Sequence, residues 1–322
     1  MVRPSASFEL EIPPQGEEVE PDEVQGPVGV AIIAVLLAAT CWSFIGIAYR
    51  LILDEFDVSP ISVVSVRAST SAIVLSLLIV SRASLRADLP VAFSPPVRWT
   101  LLAAGLLSGT GFYVALIYAY EVAGVAVGTV LLYCAPSIVA FGSWVMFKNR
   151  VSRTQKIALC MSLVGVIGVS GLLAGGETFR PLGVILGLTS AVCYASYSLL
   201  GQQLLTRLNP LVVVALTGVV GSIGMWAIKL VLEGPALPSL EALAWIIAVT
   251  GIGTTLIPLV LYTWGLSKLG AARASLLTTI EPVVAVLLAF VILSETLTVV
   301  QFAGSALVLA SVIIAGLERV AR

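Results

Sequence analysis

The residues most able to do chemistry in this sequence are two ionisable side chains within long apolar stretches. Glu281 precedes Pro282 with apolar residues on both sides, and Arg67 is the eighth residue of the stretch 60–81. A charged carboxylate is costly in apolar surroundings, so Glu281 must be protonated, paired or in contact with water. It could bind an ammonium group or carry a proton, or it could be a neutral carboxyl hydrogen-bonded within a helix bundle. Arg67 could meet the carboxylate of a ligand, or its long side chain could reach the membrane surface.

Aromatic and hydroxyl side chains accompany these charges at helical spacing, because residues three and four apart share one helix face. One such stripe comprises Ser190, Tyr194, Tyr197, Ser198 and Gln202. A second comprises Thr129, Tyr133, Ser137 and Trp144. A third comprises Trp42 and Tyr49, and a fourth comprises Thr255, Pro258 and Tyr262. Lipid offers hydroxyls no partner, so the stripes should face a cavity or another helix, although a single Ser or Thr could bond its own backbone. We predict a ligand cavity lined by Trp42, Tyr133, Tyr194, Tyr197, Ser198, Trp264, Thr278 and Glu281.

Two prolines lie near the middle of their apolar stretches, at Pro136 and Pro282. Proline lacks the N–H that a helix uses, so the carbonyl four residues earlier, at Leu132 or Thr278, loses its helical partner. We predict a kink at each proline, which either widens a central space and frees a carbonyl for a ligand or is a purely structural bend.

The sequence has no pattern that indicates an enzyme. It contains no histidine, which excludes histidine-based catalysis and removes the commonest metal ligand. No phosphate-binding loop of the Gly-x-x-x-x-Gly-Lys-Ser/Thr type occurs, so the chain should not itself hydrolyse ATP. Its four cysteines lack metal-ligand spacing and are typical of small buried residues: Cys41, Cys134, Cys160 and Cys193. We therefore expect no catalytic residues, no metal and no cofactor.

Composition indicates which elements position these side chains. Hydrophobic residues make up 59% of the 322 residues and charged residues 11%, with a mean hydropathy of +1.07. A helix needs about 20 residues to cross the hydrocarbon. Ten stretches meet that length, which predicts an all-α integral membrane protein with spans at 28–53, 60–81, 98–120, 124–147, 154–175, 182–206, 210–232, 242–266, 271–293 and 299–317.

The sequence repeats itself. A shift of 146 residues places Trp99 on Trp245 and Pro136 on Pro282, and the apolar pattern matches throughout. The chain is therefore a duplicated unit, with one repeat in 27–175 and another in 176–322. Five helices per repeat is an odd number, so the second repeat must be inverted across the membrane. Inverted repeats are typical of secondary transporters, whose substrate site lies between the repeats.

Lys and Arg residues predict the orientation. Thirteen lie on the side of the N-terminus, three lie on the other side, and Arg67 is within a span. The excess predicts that both termini are cytosolic. Residues 1–26 hold seven acidic residues and four prolines, which predicts a disordered acidic cytosolic tail. The basic loops follow from topology, so they do not indicate nucleic-acid binding.

The last two spans carry the residues of a family resemblance. Glu281-Pro282 is followed by a small apolar run to Leu293-Ser294-Glu295, and then by Gln301 and Gly304. The first repeat matches at Pro136 and Gln155 but has Asn149 where the second has Glu295. These features resemble the drug/metabolite transporter superfamily, specifically its ten-helix EamA-type permeases, over nearly all of 28–318.

The resemblance implies export of small metabolites across a bacterial inner membrane by alternating access, without ATP. It implies that helices 5 and 10 brace the periphery while the others surround a cavity, and it is compatible with a homodimer. Among branches, the chain is most similar to the amino-acid exporters, including those for aromatic amino acids, so an amino acid or similar amine is the expected substrate. Three alternatives remain open: a drug cation, nucleotide-sugar or polyamine as cargo, a non-transporting membrane partner protein, and a membrane enzyme.

Overall fold

The computed structural model describes residues 28–148, 150–170, 172–174, 180–293 and 298–317. All regular elements in these ranges are helices. The predicted tail 1–26, Asn149, and the pair Ser294 and Glu295 lie outside the described residues, so their predicted roles stay predictions.

Ten long helices match the ten predicted spans. Nine are long and apolar enough to cross a membrane, and they are α1 (Val28–Glu55), α2 (Pro60–Ser81), α3 (Pro95–Ala123), α4 (Val125–Phe147), α6 (Pro181–Leu205), α7 (Pro210–Glu233), α8 (Leu240–Leu269), α9 (Ala271–Ile292) and α10 (Val299–Leu317). The remaining helix, α5 (Arg153–Val169), has 17 residues. Two short helices, Ala83–Arg86 and Leu89–Ala92, connect α2 to α3. The protein is therefore an all-α, multi-pass membrane protein.

Local sequence determines where the helices begin. Ser59 caps α2 by accepting a hydrogen bond from the backbone N–H of Ser62 at 3.0 Å, and Pro60 supplies a first residue with a pre-set φ. At α5, Ser152 and Gln155 form a reciprocal capping box. Gln155, one of the residues behind the family resemblance, thus fixes the start of a helix.

The two repeats pack through equivalent pairs of helices. The contact of α1 with α8 corresponds to that of α6 with α3. The contact of α1 with α9 corresponds to that of α6 with α4, and the contact of α2 with α8 corresponds to that of α7 with α3. The pairs α2–α7 and α5–α10 each join equivalent helices. Because these large contacts have counterparts in the other repeat, the two repeats interleave in one helix bundle.

Irregular backbone also recurs at equivalent positions. Gly124 and Gly270 join α3 to α4 and α8 to α9 with φ of 83° and 75°, a region that favours glycine. A π-helical segment interrupts α3 at Leu107–Gly111 and α8 at Ile246–Leu256. π-helical turns are frequent at functional sites, and these two segments lie in helices that meet the opposite repeat.

Both helices with central prolines are interrupted beside them. In α4, regular helix ends at Leu132 and resumes at Ala135, so Pro136 occupies the first turn of the second segment. In α9, the 3₁₀ turn Thr278–Ile280 separates two segments, and Pro282 again follows in the first turn. Proline is tolerated in a first turn because its missing N–H would have no partner there.

Candidate functional site

Glu281 lies among hydroxyl groups near the middle of the membrane. By helix rise, it is about 15 Å from the start of α9. The Tyr133 side chain of α4 lies beside its carboxyl group, and Tyr120 and Tyr194 lie nearby. The Ser43 hydroxyl of α1 is 2.9 Å from the backbone carbonyl oxygen of Glu281. The carboxyl group therefore has polar partners at the break in α9.

A second cluster surrounds Tyr262 of α8, which is 1% exposed. Its ring centroid is 5.4 Å from that of Trp42 in α1 and 6.0 Å from that of Tyr197 in α6. Its hydroxyl is 2.7 Å from the Ser198 hydroxyl, and the Tyr197 hydroxyl is 2.5 Å from that of Thr263. We call these five residues the Tyr262 cluster. The Tyr197 and Ser198 hydroxyls thus have partners on α8, and a ligand there would use the donor and acceptor capacity that those bonds leave.

Arg67 is buried rather than extended to the membrane surface, and it is only 3% exposed. Its Nη2 donates to the Tyr113 hydroxyl at 3.0 Å, and its Cζ lies 5.1 Å and 6.0 Å from the ring centroids of Tyr113 and Tyr49. Placing arginine at a helix centre costs about 2.5–3.5 kcal/mol on insertion scales. Each ring contributes about 0.5–2 kcal/mol, so the two tyrosines offset much of that cost.

Aromatic rings connect Arg67 to the surroundings of Glu281. The Phe112 centroid lies 4.7 Å from that of Tyr113 and 5.3 Å from that of Tyr194. The Tyr194 side chain in turn lies beside Thr278 in the 3₁₀ turn of α9. The structure thus brings six of the eight predicted lining residues, with their neighbours, into clusters between the repeats, and Thr278 joins them through Tyr194.

Two tryptophans lie apart from these clusters. Trp144 is 51% exposed and packs on Phe141, with 5.9 Å between ring centroids. Helical spacing places Trp144 on the stripe of Tyr133, but Tyr133 is buried and Trp144 is exposed, so the two do not line one cavity. Trp264 is half-buried, and it lies about 200° around α8 from Tyr262. Its role in the cavity stays a prediction.

Several residues of these clusters were missed as site residues. Tyr262 and Tyr49 are on predicted stripes, but the spacing alone did not show which stripe faces the centre. Tyr113 carried no such signal, and only its position two residues after the π-helical segment of α3 distinguishes it. In the described ranges, no three Cys, Asp or Glu side chains lie close enough to hold a metal ion.

A cavity of about 280 Å³ opens at the opposite end of α2 from its basic loop, between the start of α2 and the end of α7. Its polar lining includes Asp57, Ser62 and Glu233, and the Ser62 hydroxyl donates to a Glu233 carboxylate oxygen at 3.1 Å. Lys229 donates to the carbonyl oxygens of Gly234, at 3.2 Å, and Ala236. This cavity lies at the helix ends, whereas the predicted cavity lies near mid-membrane.

The repeated helices and the polar clusters between them define a membrane transporter. Residues 29–171 and 181–317 match the model of the EamA-like transporter family, one match for each repeat. The chain belongs to the EamA-like transporter family.

Relatives from bacteria and archaea agree with this class. An uncharacterized transporter of Archaeoglobus fulgidus is 26% identical over 293 residues, covering 88% of this chain and 97% of the relative. An uncharacterized transporter of Synechocystis is 29% identical over 239 residues, covering 70% and 68%. An uncharacterized inner membrane transporter of Salmonella typhimurium is 24% identical over 301 residues, covering 91% and 97%. A crystal structure with 19% identity superposes with a TM-score of 0.73 over 88% of this chain and 96% of that chain, so the fold is shared.

Proposed function

We propose that this protein is a secondary transporter that exports amino acids, including aromatic ones, across a bacterial inner membrane by alternating access. The observation that carries the proposal is the Glu281 carboxyl group, which lies at the break in α9 beside the Tyr133 side chain. A carboxylate beside aromatic rings suits an ammonium group, and the rings suit an apolar side chain. The family membership supports transport, and the inner-membrane relative supports the location.

Alternating access is supported by the arrangement of the two repeats. Three of the contacts described above join helices of both repeats: α1 with α8 at Tyr262, α4 with α9 at Glu281, and α3 with α6 at Phe112. A rocking motion of one repeat against the other would therefore open one polar cluster while closing another.

Counterflow in proteoliposomes tests the function directly. Vesicles preloaded with an unlabelled amino acid are diluted into trace labelled amino acid, and a panel is compared with protein-free vesicles. We expect accumulation of at least one amino acid. Absence of counterflow for all amino acids, with counterflow of another solute class, would reject the cargo.

The alternative cargo is an organic cation. The same carboxyl and aromatic rings favour it, since cation–π attraction needs no carboxylate on the solute. Including tetraphenylphosphonium in the panel separates the two cargoes, because it carries a charge and rings but neither an amine nor a carboxylate.

Tyr194→Ala should weaken transport without preventing membrane insertion. Tyr194 packs against Phe112 and lies beside Thr278. An aromatic contact with a cation contributes about 0.5–2 kcal/mol, so its loss corresponds to about a 2- to 30-fold lower rate. Initial rates of counterflow at substrate concentrations below saturation measure this loss. Trp144→Ala is the control, because Trp144 is exposed on the helix exterior. Equal rates for wild type and Tyr194→Ala would show that Tyr194 does not contact the transported solute.

The proposed orientation places the α6–α7 loop in the cytosol and the α7–α8 loop outside. Single cysteines at the exposed positions Thr206 and Leu237 report the two sides in a variant without the four native cysteines. In intact cells, a membrane-impermeant maleimide should label the cysteine at 237 and not that at 206. After permeabilisation it should label both. The reverse pattern would invert the topology.

A further inference from the structure

The guanidinium of Arg67 is a buried cation that lacks a carboxylate partner. A surface salt bridge joins Arg50 to Asp54, with 3.9 Å between nitrogen and oxygen, whereas no carboxylate of the described residues forms such a pair with Arg67. Arg67 is 3% exposed, and its Nε has no hydrogen-bond partner. A buried donor without a partner is unfavourable. A bound group that supplies an acceptor and a negative charge would therefore lower the free energy of this site.

The surroundings of Arg67 are built to receive such a group. The tyrosines Tyr49 and Tyr113 hold the guanidinium from two sides without neutralising it. The Tyr113 hydroxyl accepts a hydrogen bond from Nη2 at 3.0 Å, so its own proton is available to a second acceptor. A guanidinium fork matches the two oxygens of a carboxylate, and a hydroxyl donor beside it adds a further bond.

Glu281 supplies a group of opposite charge in the same region. Arg67 acts on the Glu281 carboxyl electrostatically, and the ring series Tyr113, Phe112 and Tyr194 runs from one to the other. A solute between them would meet a cation, aromatic faces and a carboxyl group. Such an arrangement fits a zwitterion and disfavours a simple cation, which would be repelled by Arg67.

We propose that Arg67 binds the carboxylate of the transported solute, assisted by Tyr113, and that it makes the protein selective for zwitterionic amino acids over amines that lack a carboxylate. This inference rests on the proposed function, because it names the feature of the cargo that the site recognises. If it is correct, the Arg67 side chain makes the protein favour an amino acid over an organic cation.

The test uses pairs of solutes that differ only in the carboxylate. Counterflow of labelled phenylalanine in proteoliposomes is competed with unlabelled phenylalanine and with 2-phenylethylamine. If the panel shows another amino acid moving faster, that amino acid and its decarboxylated amine replace these two. On wild-type protein we expect the amine to compete more weakly by about tenfold or more, because the buried donors of Arg67 stay unpaired. This arm needs no variant and so is independent of folding.

The variant arm compares Arg67→Gln with Arg50→Gln. Both remove one positive charge from the same end of the membrane, and Arg50 is an exposed residue beside Asp54. We expect Arg67→Gln to lower phenylalanine transport by about tenfold or more and to abolish the preference over phenylethylamine, with partial recovery in Arg67→Lys, which restores charge but not the fork. Arg50→Gln should keep both the rate and the preference.

The outcomes separate this inference from the proposed function. If wild type moves amino acids but phenylethylamine competes equally, or if Arg67→Gln leaves the preference intact, the inference is wrong and the transport function stands. If wild type moves phenylethylamine or tetraphenylphosphonium and no amino acid, both are wrong, since a cargo without a carboxylate gives Arg67 nothing to bind.

Discussion

Glu281→Gln should reduce amino-acid transport by about 30-fold or more, because removing one partner of a buried charge pair costs about 2–5 kcal/mol. The substitution keeps the size of the side chain and its capacity to accept a hydrogen bond. It removes only the charge that the ammonium group of the solute would meet. Initial counterflow rates at substrate concentrations below saturation measure the effect.

Glu121→Gln is the matched control for this prediction. Glu121 is an exposed residue in the last turn of α3, so the same chemical change there should leave the rate near that of wild type. A pH series adds a second measurement. If Glu281 also carries a proton, the rate of Glu281→Gln loses the pH dependence that wild type shows. A Glu281→Gln protein with an unchanged rate and pH profile would show that the carboxyl group only packs within the bundle.

The sequence predicted the spans well because each depends on local properties. Apolar length, proline at helix starts and the duplicated pattern are all readable from neighbouring residues, and the structure confirms an all-helical protein with two repeats. Even the interruption of α4 and α9 has a local cause, since Pro136 and Pro282 can occupy a first turn but not a helix interior.

The contacts between helices were only partly predictable. Helical spacing grouped Tyr197 with Ser198 and placed Tyr262 on another stripe, but it could not show that Tyr262 bonds Ser198 across α6 and α8. Which stripe meets which depends on how α6 and α8 pack, and that information is not in either stretch alone. The burial of Arg67 has the same origin, because the rings that cover it come from α1 and α3.

The close approach of helix backbones was likewise not predictable from the sequence. α3 and α7 meet at Gly109 and Gly221, where a Cβ added to Gly221 would lie 2.7 Å from the Gly109 Cα and 3.2 Å from the Gly105 carbonyl oxygen. The Thr110 hydroxyl also donates to the Gly221 carbonyl oxygen at 3.2 Å. The atoms in the way belong to backbone, so no side chain can rotate to make room.

Gly221→Ala should therefore force α3 and α7 apart and destabilise the protein by about 3 kcal/mol or more, beyond the usual 1–3 kcal/mol of overpacking. The expected result is a lower midpoint in thermal unfolding of the detergent-solubilised protein. Gly218→Ala is the control, one turn away on the same helix, where the added Cβ would lie 3.8 Å from its nearest neighbours in α2, an ordinary contact. That variant should unfold at or above the temperature of wild type. Equal midpoints for Gly221→Ala and Gly218→Ala would mean that the α3–α7 contact is looser than the structure describes, and that the repeats do not depend on this backbone approach.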